Sequence, residues 1–160
     1  MAIGIISAMP EEITAVVNSM TTHHTTEKGM RSYHYGELFG KEVVLVFSRW
    51  GKVAAATTAT QMIEDFDLSE ILFTGVAGAL DEGLEIGDIV VGKRMFQHDL
   101  DCSPIVKKDE VPLLGKTFFE TDPTNRKKLI EACQNFLEKF EQTLPKNRTE
   151  KFGIVTPKTI

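Results

Sequence analysis

The sequence predicts an α/β fold: a central mixed β-sheet flanked by helices. Three observations carry this reading. The chain opens with a near-continuous apolar run, Ala2 to Ala8 (AIGIISA), which is what a parallel strand needs when both of its faces are covered. Short apolar runs then alternate with helical patterns through the first hundred residues, the order expected of strands connected by crossover helices. Finally, 160 residues with 42% hydrophobic and 26% charged side chains, 12 glycines and 6 prolines have a globular composition, unlike that of disordered, collagen-like or membrane-spanning chains. One domain of this size buries roughly 70% of its unfolded surface and stands without disulfides or metals.

Each element has a local cause. After the first strand, Pro10 suits the first position of a helix and Glu11 and Glu12 suit its first turn, where the helix dipole favours acids. Ile13, Val16, Val17 and Met20 supply its buried stripe. Strand-like runs from Arg31 to Phe39 and from Glu42 to Phe47 flank Gly40-Lys41, which reads as a hairpin turn. The alanine- and threonine-rich segment from Lys52 to Phe66 reads as a helix whose small residues pack close to a sheet. Glu70 to Gly75 (EILFTG) is a further buried strand, ended by Gly75-Val76-Ala77-Gly78, and Gly87 to Phe96 (GDIVVGKRMF) is one more. Residues 99 to 121 are irregular, with Pro104 and Pro112, and a loop of that length in a compact domain points to function or an interface. Asp122-Pro123 starts a helix in which Leu129, Ile130, Cys133, Phe136, Leu137 and Phe140 keep helical spacing. Phe152 to Val155 begins another strand.

Charge and cysteine usage exclude several functions. Residues 1 to 106 hold seven Lys or Arg against fifteen Asp or Glu, while the remainder holds eleven against eight. An acidic front half does not suit nucleic acid, whose binding needs clustered cations to neutralise phosphate. Arg126-Lys127-Lys128, the only basic triplet, falls in the first turns of a helix and reads as a solvated face. Cys102 and Cys133 lie far apart and form no CxxC pair, which fits free thiols in a reducing cytoplasm. The start of the chain has no basic n-region, and no apolar run approaches the ~20 residues of a membrane span.

Motif searches remove other chemistries. Gly115-Lys116-Thr117 lacks the glycine a phosphate loop needs five residues earlier, where Glu110 stands, and no GxGxxG follows the first strand. There is no GxSxG elbow. His98, Asp99 and Asp101 cluster without the further ligands a metal site draws from elsewhere, and His23, His24 and His34 fall in a weakly patterned region, so no metal is expected. Glu11-Glu12 is the pair that matters most. Two acids in a first turn are accounted for by the dipole alone. Yet the carboxyl end of a first parallel strand is also where α/β sheets place ligands, and a carboxylate there can orient and deprotonate water.

Residues 3 to 12 (IGIISAMPEE), 48 to 56 (SRWGKVAAA), 74 to 91 (TGVAGALDEGLEIGDIVV) and 98 to 101 (HDLD) resemble the methylthioadenosine/S-adenosylhomocysteine nucleosidases of the purine nucleoside phosphorylase superfamily. The likeness runs in order to about Asp101 and more loosely beyond. It implies a three-layer phosphorylase/hydrolase-like fold and hydrolysis of the N-glycosidic bond of 5'-thio-substituted adenosines, releasing adenine and a thioribose, in methionine salvage. Carried over motif by motif, Glu12 is the base that activates water, and Met9 and Trp50 line the ribose and 5'-alkylthio region. Val76, Ala77 and Gly78 contact the nucleoside, while Cys102 and Ile105 belong to a segment offered across a homodimer interface. The resemblance further implies a cytoplasmic enzyme without cofactor or metal, whose partners are a nucleoside and a second copy of itself. Trp50 is bulkier than the aliphatic residue common at its position in the family. The family's ribose-binding Met-Glu pair and its purine-protonating Asp follow a strand beginning near Phe152, beyond Ile160, so residues 1 to 160 read as a single domain incomplete at its carboxyl end.

Two alternatives stand beside this reading. One is another hydrolase or phosphorylase of the superfamily, and the other is a catalytically inactive remnant that keeps the dimerisation surface. Glu11 and Glu12 beside the first turn repel a phosphate dianion, which favours water as the nucleophile. Arg49 is the nearby cation that can serve an anion.

Overall fold

The computed structural model describes residues 1–143 and 158–159. The chain divides into two compact units, Met1–Gly78 and Ala79–Ile160.

The first unit is a five-stranded mixed sheet flanked by helices. Its strands are β1 (Ala2–Ser7), β2 (Thr22–Lys28), β3 (Arg31–Leu38), β4 (Lys41–Phe47) and β5 (Leu68–Phe73), ordered β2-β3-β4-β1-β5. β1 runs parallel to both β4 and β5, with Ser7 beside Phe47 and Ile6 beside Phe73. β2, β3 and β4 form an antiparallel meander. Helix α1 (Pro10–Val17) follows β1, and α2 (Lys52–Asp65) links β4 to β5.

The core forms where β4 is covered on both faces, and for that reason Val43, Val44, Leu45 and Val46 are all buried. Val44 and Val46 share a cluster with Ile6, Tyr33 and Met62 of α2, and the small Ala59 lets that helix approach. A Cβ on Gly4 would stand 3.2 Å from side-chain atoms of Met62, Leu68 and Ile71, so the strand is bare where α2 crosses it. The opposite face of β4 meets α1, where Ile13 is buried and Val16 and Val17 are half-buried. The helix ends before Met20, the last residue of the expected stripe.

The structure corrects the sequence reading at three places in the first unit. The β3–β4 turn is Phe39-Gly40, one residue earlier than Gly40-Lys41, because Leu38 pairs with Lys41. Both turn residues have positive φ, 50° and 75°, as a two-residue hairpin of the right twist requires. The region of His23 and His24 is strand β2, joined to β3 by Gly29-Met30, again with positive φ at both positions. All seven β2 residues are exposed, so the strand carries no hydrophobic alternation to announce it. The C-terminal end of β5 is also more open than a buried strand, with Phe73 64% exposed.

In the second unit, the segment expected as one strand from Gly87 to Phe96 is two. β6 (Val90–Val91) pairs in parallel with β9 (Lys158–Thr159), and β7 (Arg94–Met95) pairs antiparallel with β8 (Phe119–Glu120). Residues 99–118 hold turns and a single bridge, Val111 to Lys116. Helix α3 (Pro123–Thr143) begins as expected, with Asp122 Oδ1 accepting the N–H of Asn125 at 2.8 Å. Of its apolar stripe, Ile130, Cys133 and Leu137 are half-buried, whereas Leu129, Phe136 and Phe140 are exposed. Burial raises the Cys133 thiol pKa above its ordinary value, and both cysteines are free. The strand expected from Phe152 lies outside the described residues.

Candidate active site

Three parallel strands end side by side, so the segments after them converge at one carboxyl edge of the sheet. The N–H of Ser48 donates to Ser7 O at 2.9 Å, and that of Thr74 donates to Ile6 O at 3.0 Å. This extends the sheet pattern one step past β4 and β5 and presents Ala8-Met9, Arg49-Trp50 and Gly75-Val76 together. Ligands of open α/β sheets bind outside such an edge.

Glu12 is fixed at this edge by backbone alone. It is the third residue of α1, whose N-cap is Met9. Its Oε2 accepts the N–H groups of Ala8 at 3.0 Å and Met9 at 2.9 Å. The second of these is the reach-back of a capping box. Its Oε1 accepts the N–H of Val76 at 2.9 Å, across 64 residues of sequence. Three donors in two loops therefore hold one half-buried carboxylate. Oε2 has two protein donors and Oε1 one, so Oε1 keeps an acceptor position for an incoming water. Glu11, its neighbour, is exposed.

The floor beneath is a buried hydroxyl relay. Ser7 Oγ donates to Met9 O at 2.9 Å and shapes the turn into α1. Ser48 Oγ lies 3.0 Å from Ser7 O and 2.8 Å from Arg49 O. Thr58 Oγ1 and Arg31 Nε each stand 3.3 Å from Ser48 O. Ser7, Ser48 and Thr58 are at most 1% exposed, so these hydrogen bonds replace lost water and set the course of the chain.

Of the residues singled out from sequence, Met9, Trp50 and Val76 sit on the loops of this edge and Glu12 in the first turn of α1, with Ala77 and Gly78 next along the chain. Trp50 is 76% exposed and directly precedes Gly51, the N-cap of α2 at φ 92°. Arg49 adopts φ 68°, and its Nη2 donates to Met30 O at 2.6 Å. It lines a groove of about 360 Å³ between α1 and β3–β4, with Ile13, Met30, His34 and Phe47, which does not include Glu12. Cys102 and Ile105 belong to the second unit. Ile105 is exposed, and its N–H closes a turn onto Cys102 O at 3.0 Å. Just before them, hydrogen bonds from Ser103 hold the Asp101 carboxyl below its ordinary pKa.

Sequence reasoning missed Gly75. A Cβ there would lie 2.8 Å from both carboxylate oxygens of Glu12 and 3.0 Å from its Cδ, so the carboxylate occupies the space a side chain would fill. Among the described residues, no group of three His, Cys, Asp or Glu side chains converges to hold a metal, and no helix is long and apolar enough to cross a membrane.

The model of the phosphorylase superfamily matches residues 2–145. A 5'-methylthioadenosine/S-adenosylhomocysteine nucleosidase of Colwellia psychrerythraea is 32% identical over 157 residues, covering 98% of this chain and 63% of that protein. An aminodeoxyfutalosine nucleosidase of Campylobacter jejuni is 40% identical over 103 residues, covering 64% of this chain and 45% of that protein. The crystal structure of the Colwellia nucleosidase in complex with adenine superposes with a TM-score of 0.80 at 29% identity, over 99% of this chain and 60% of that one. The chain thus spans less than two thirds of the length of these relatives. The matched family model, the mixed sheet and the convergent carboxyl edge establish that the chain belongs to the phosphorylase superfamily.

Proposed function

We propose that the protein containing this chain is a nucleosidase that hydrolyses the N-glycosidic bond of 5'-methylthioadenosine and S-adenosylhomocysteine, and that this chain supplies the water-activating half of its site. The observation that carries the reading is the Glu12 carboxylate, held by three backbone donors at the carboxyl edge with an acceptor position left on Oε1. Water bound there attacks the anomeric carbon as the bond to the purine nitrogen breaks. The bond's electron pair leaves with adenine, and a water proton passes to Glu12. The negative carboxylate also stabilises the oxocarbenium character of the transition state. The departing purine takes up a proton from a general acid.

Hydrolysis is favoured over phosphorolysis because Glu12 occupies the edge while Arg49, the cation in the segment after β4, turns its guanidinium to Met30 O. A phosphate beside Glu12 meets repulsion. Met9, Trp50, Val76, Ala77 and Gly78 are the proposed nucleoside contacts. Ile105, apolar and exposed, suits the role of closing a pocket with Cys102 across a homodimer. A second reading, hydrolysis of aminodeoxyfutalosine, draws support from the 40% identical relative.

Adenine release is the test, assayed with each of these substrates and with and without phosphate. Release without phosphate is expected, with the thioadenosines preferred, and strict dependence on phosphate overturns the proposal. Preference for aminodeoxyfutalosine selects the second reading.

A further inference from the structure

Close approach of a side chain to a backbone segment demands the smallest residue, and among the described glycines Gly75 is the one where that side chain is Glu12. The three nearest atoms to a Cβ built there are Oε1, Oε2 and Cδ of Glu12, at 2.8, 2.8 and 3.0 Å. Nothing else comes as near, so the constraint is not a crowded core but one functional group. Real Cβ atoms essentially never approach an oxygen so closely, and something must shift. Glu12 has little freedom to do so, since its two oxygens are tied to Ala8, Met9 and Val76. Two of those donors belong to the loop before α1, and the third follows Gly75 directly. Any retreat of the carboxylate from a Cβ at 75 therefore lengthens the Val76 bond, and any retreat of the loop does the same.

We infer that Gly75 is a positioning residue for Glu12: its bare Cα forms a seat against which the carboxylate lies flat, letting the Val76 N–H reach Oε1 and aim that oxygen at the water position. The inference rests on the proposed role of Glu12. It adds a determinant on a different strand end, separated by 63 positions in sequence and set by shape rather than by charge. Nothing in the composition of the segment TGVAG marks which of its glycines holds that duty. A Cβ on Gly78, three residues on, meets nothing within 4 Å.

The seat predicts a specific coupling. Gly75→Ala in the whole protein should lower kcat for adenine release by about a hundredfold with little change in KM, because the base is displaced while the nucleoside contacts remain. Shortening the acid by one methylene opens the space again. In the Glu12→Asp background Gly75→Ala should therefore cost at least about tenfold less than in the wild type, a deviation from additivity that groups in contact produce. Equal costs in both backgrounds overturn the inference, as does an active Gly75→Ala protein. Adenine binding by the variant checks that it is folded. The amide resonance of Val76 supplies a readout independent of turnover: it should move in Gly75→Ala, and its staying put refutes the seat. If the wild type releases no adenine at all, the proposed function fails, while the Val76 resonance still decides the steric claim.

Discussion

The N–H of Val76, just past β5, donates to Oε1 of Glu12 in the first turn of α1 at 2.9 Å, joining two strand ends through one carboxylate. Glu12→Gln keeps the shape of that side chain but removes its capacity to take a proton. Adenine release should fall by about 10² to 10⁴-fold while adenine still binds, and the melting temperature should drop modestly, because the amide NH2 replaces one acceptor oxygen and leaves a backbone N–H without its partner. Steady-state kinetics paired with a binding titration separate the two effects, and near-normal turnover would refute the assigned role.

Met62 is fully buried in the cluster between α2 and the sheet. Met62→Ala removes its contacts with Ile6, Tyr33 and the Val44–Val46 pair and should destabilise the fold by about 2 to 5 kcal/mol. Urea unfolding of the variant reads this as a lowered midpoint. An unchanged midpoint would mean that the α2 interface is not where the core is held.

A Cβ at Gly36 would run into the backbone carbonyl of Thr22, across the β2–β3 ladder. Gly36→Ala should therefore force β2 away from β3 and cost more than about 1 kcal/mol. Hydrogen exchange is the direct measure. The ladder amides of β2 and β3 should lose protection, while β1 and β5 keep theirs.

His34 lies on β3 with its Nδ1 2.9 Å from His23 Nε2. Burial first, and then the proximity of His23, lowers its pKa below the ordinary 6.5, with Glu27 partly opposing. A histidine depressed in the folded state takes up protons first in the unfolded chain. Stability is therefore full above 6.5 and declines as pH falls through 6.5 toward the lower folded value. His34→Gln should flatten that part of the stability curve, measured by thermal melts on either side of 6.5. A curve of unchanged slope would place the acid sensitivity elsewhere.

How much of this was legible depended on whether a residue's role is local. The apolar run of β1, the Pro10-Glu11-Glu12 helix start and the Asp122 cap depend on neighbours in sequence and read directly. Strand β2 did not, because THHTTEK is exposed along its whole length and is held by its ladder with β3 and by Lys28 pairing with Asp65 of α2 at 2.6 Å. Gly87 to Phe96 looked like one strand because its apolar residues are contiguous, yet β6 pairs in parallel with β9 while β7 pairs antiparallel with β8. At the site, Glu12 was found from its place after the first strand and from the resemblance of its motif. The Gly75 seat was invisible because it exists only when residues 63 apart meet. The tilt of Arg49 toward Met30 likewise depends on the β2–β3 turn, which the sequence reading had not placed.

The capping bond from Met9 N–H to Glu12 Oε2 sets two different demands on one position. As a helix cap, the third residue of α1 is served by glutamine nearly as well as by glutamate. As a base it is not. In a library randomised at position 12, survivors of heat selection alone should include both residues, and survivors of turnover selection should narrow to the acid. The ratio of the two amino acids in the pool would then report which pressure the protein is under.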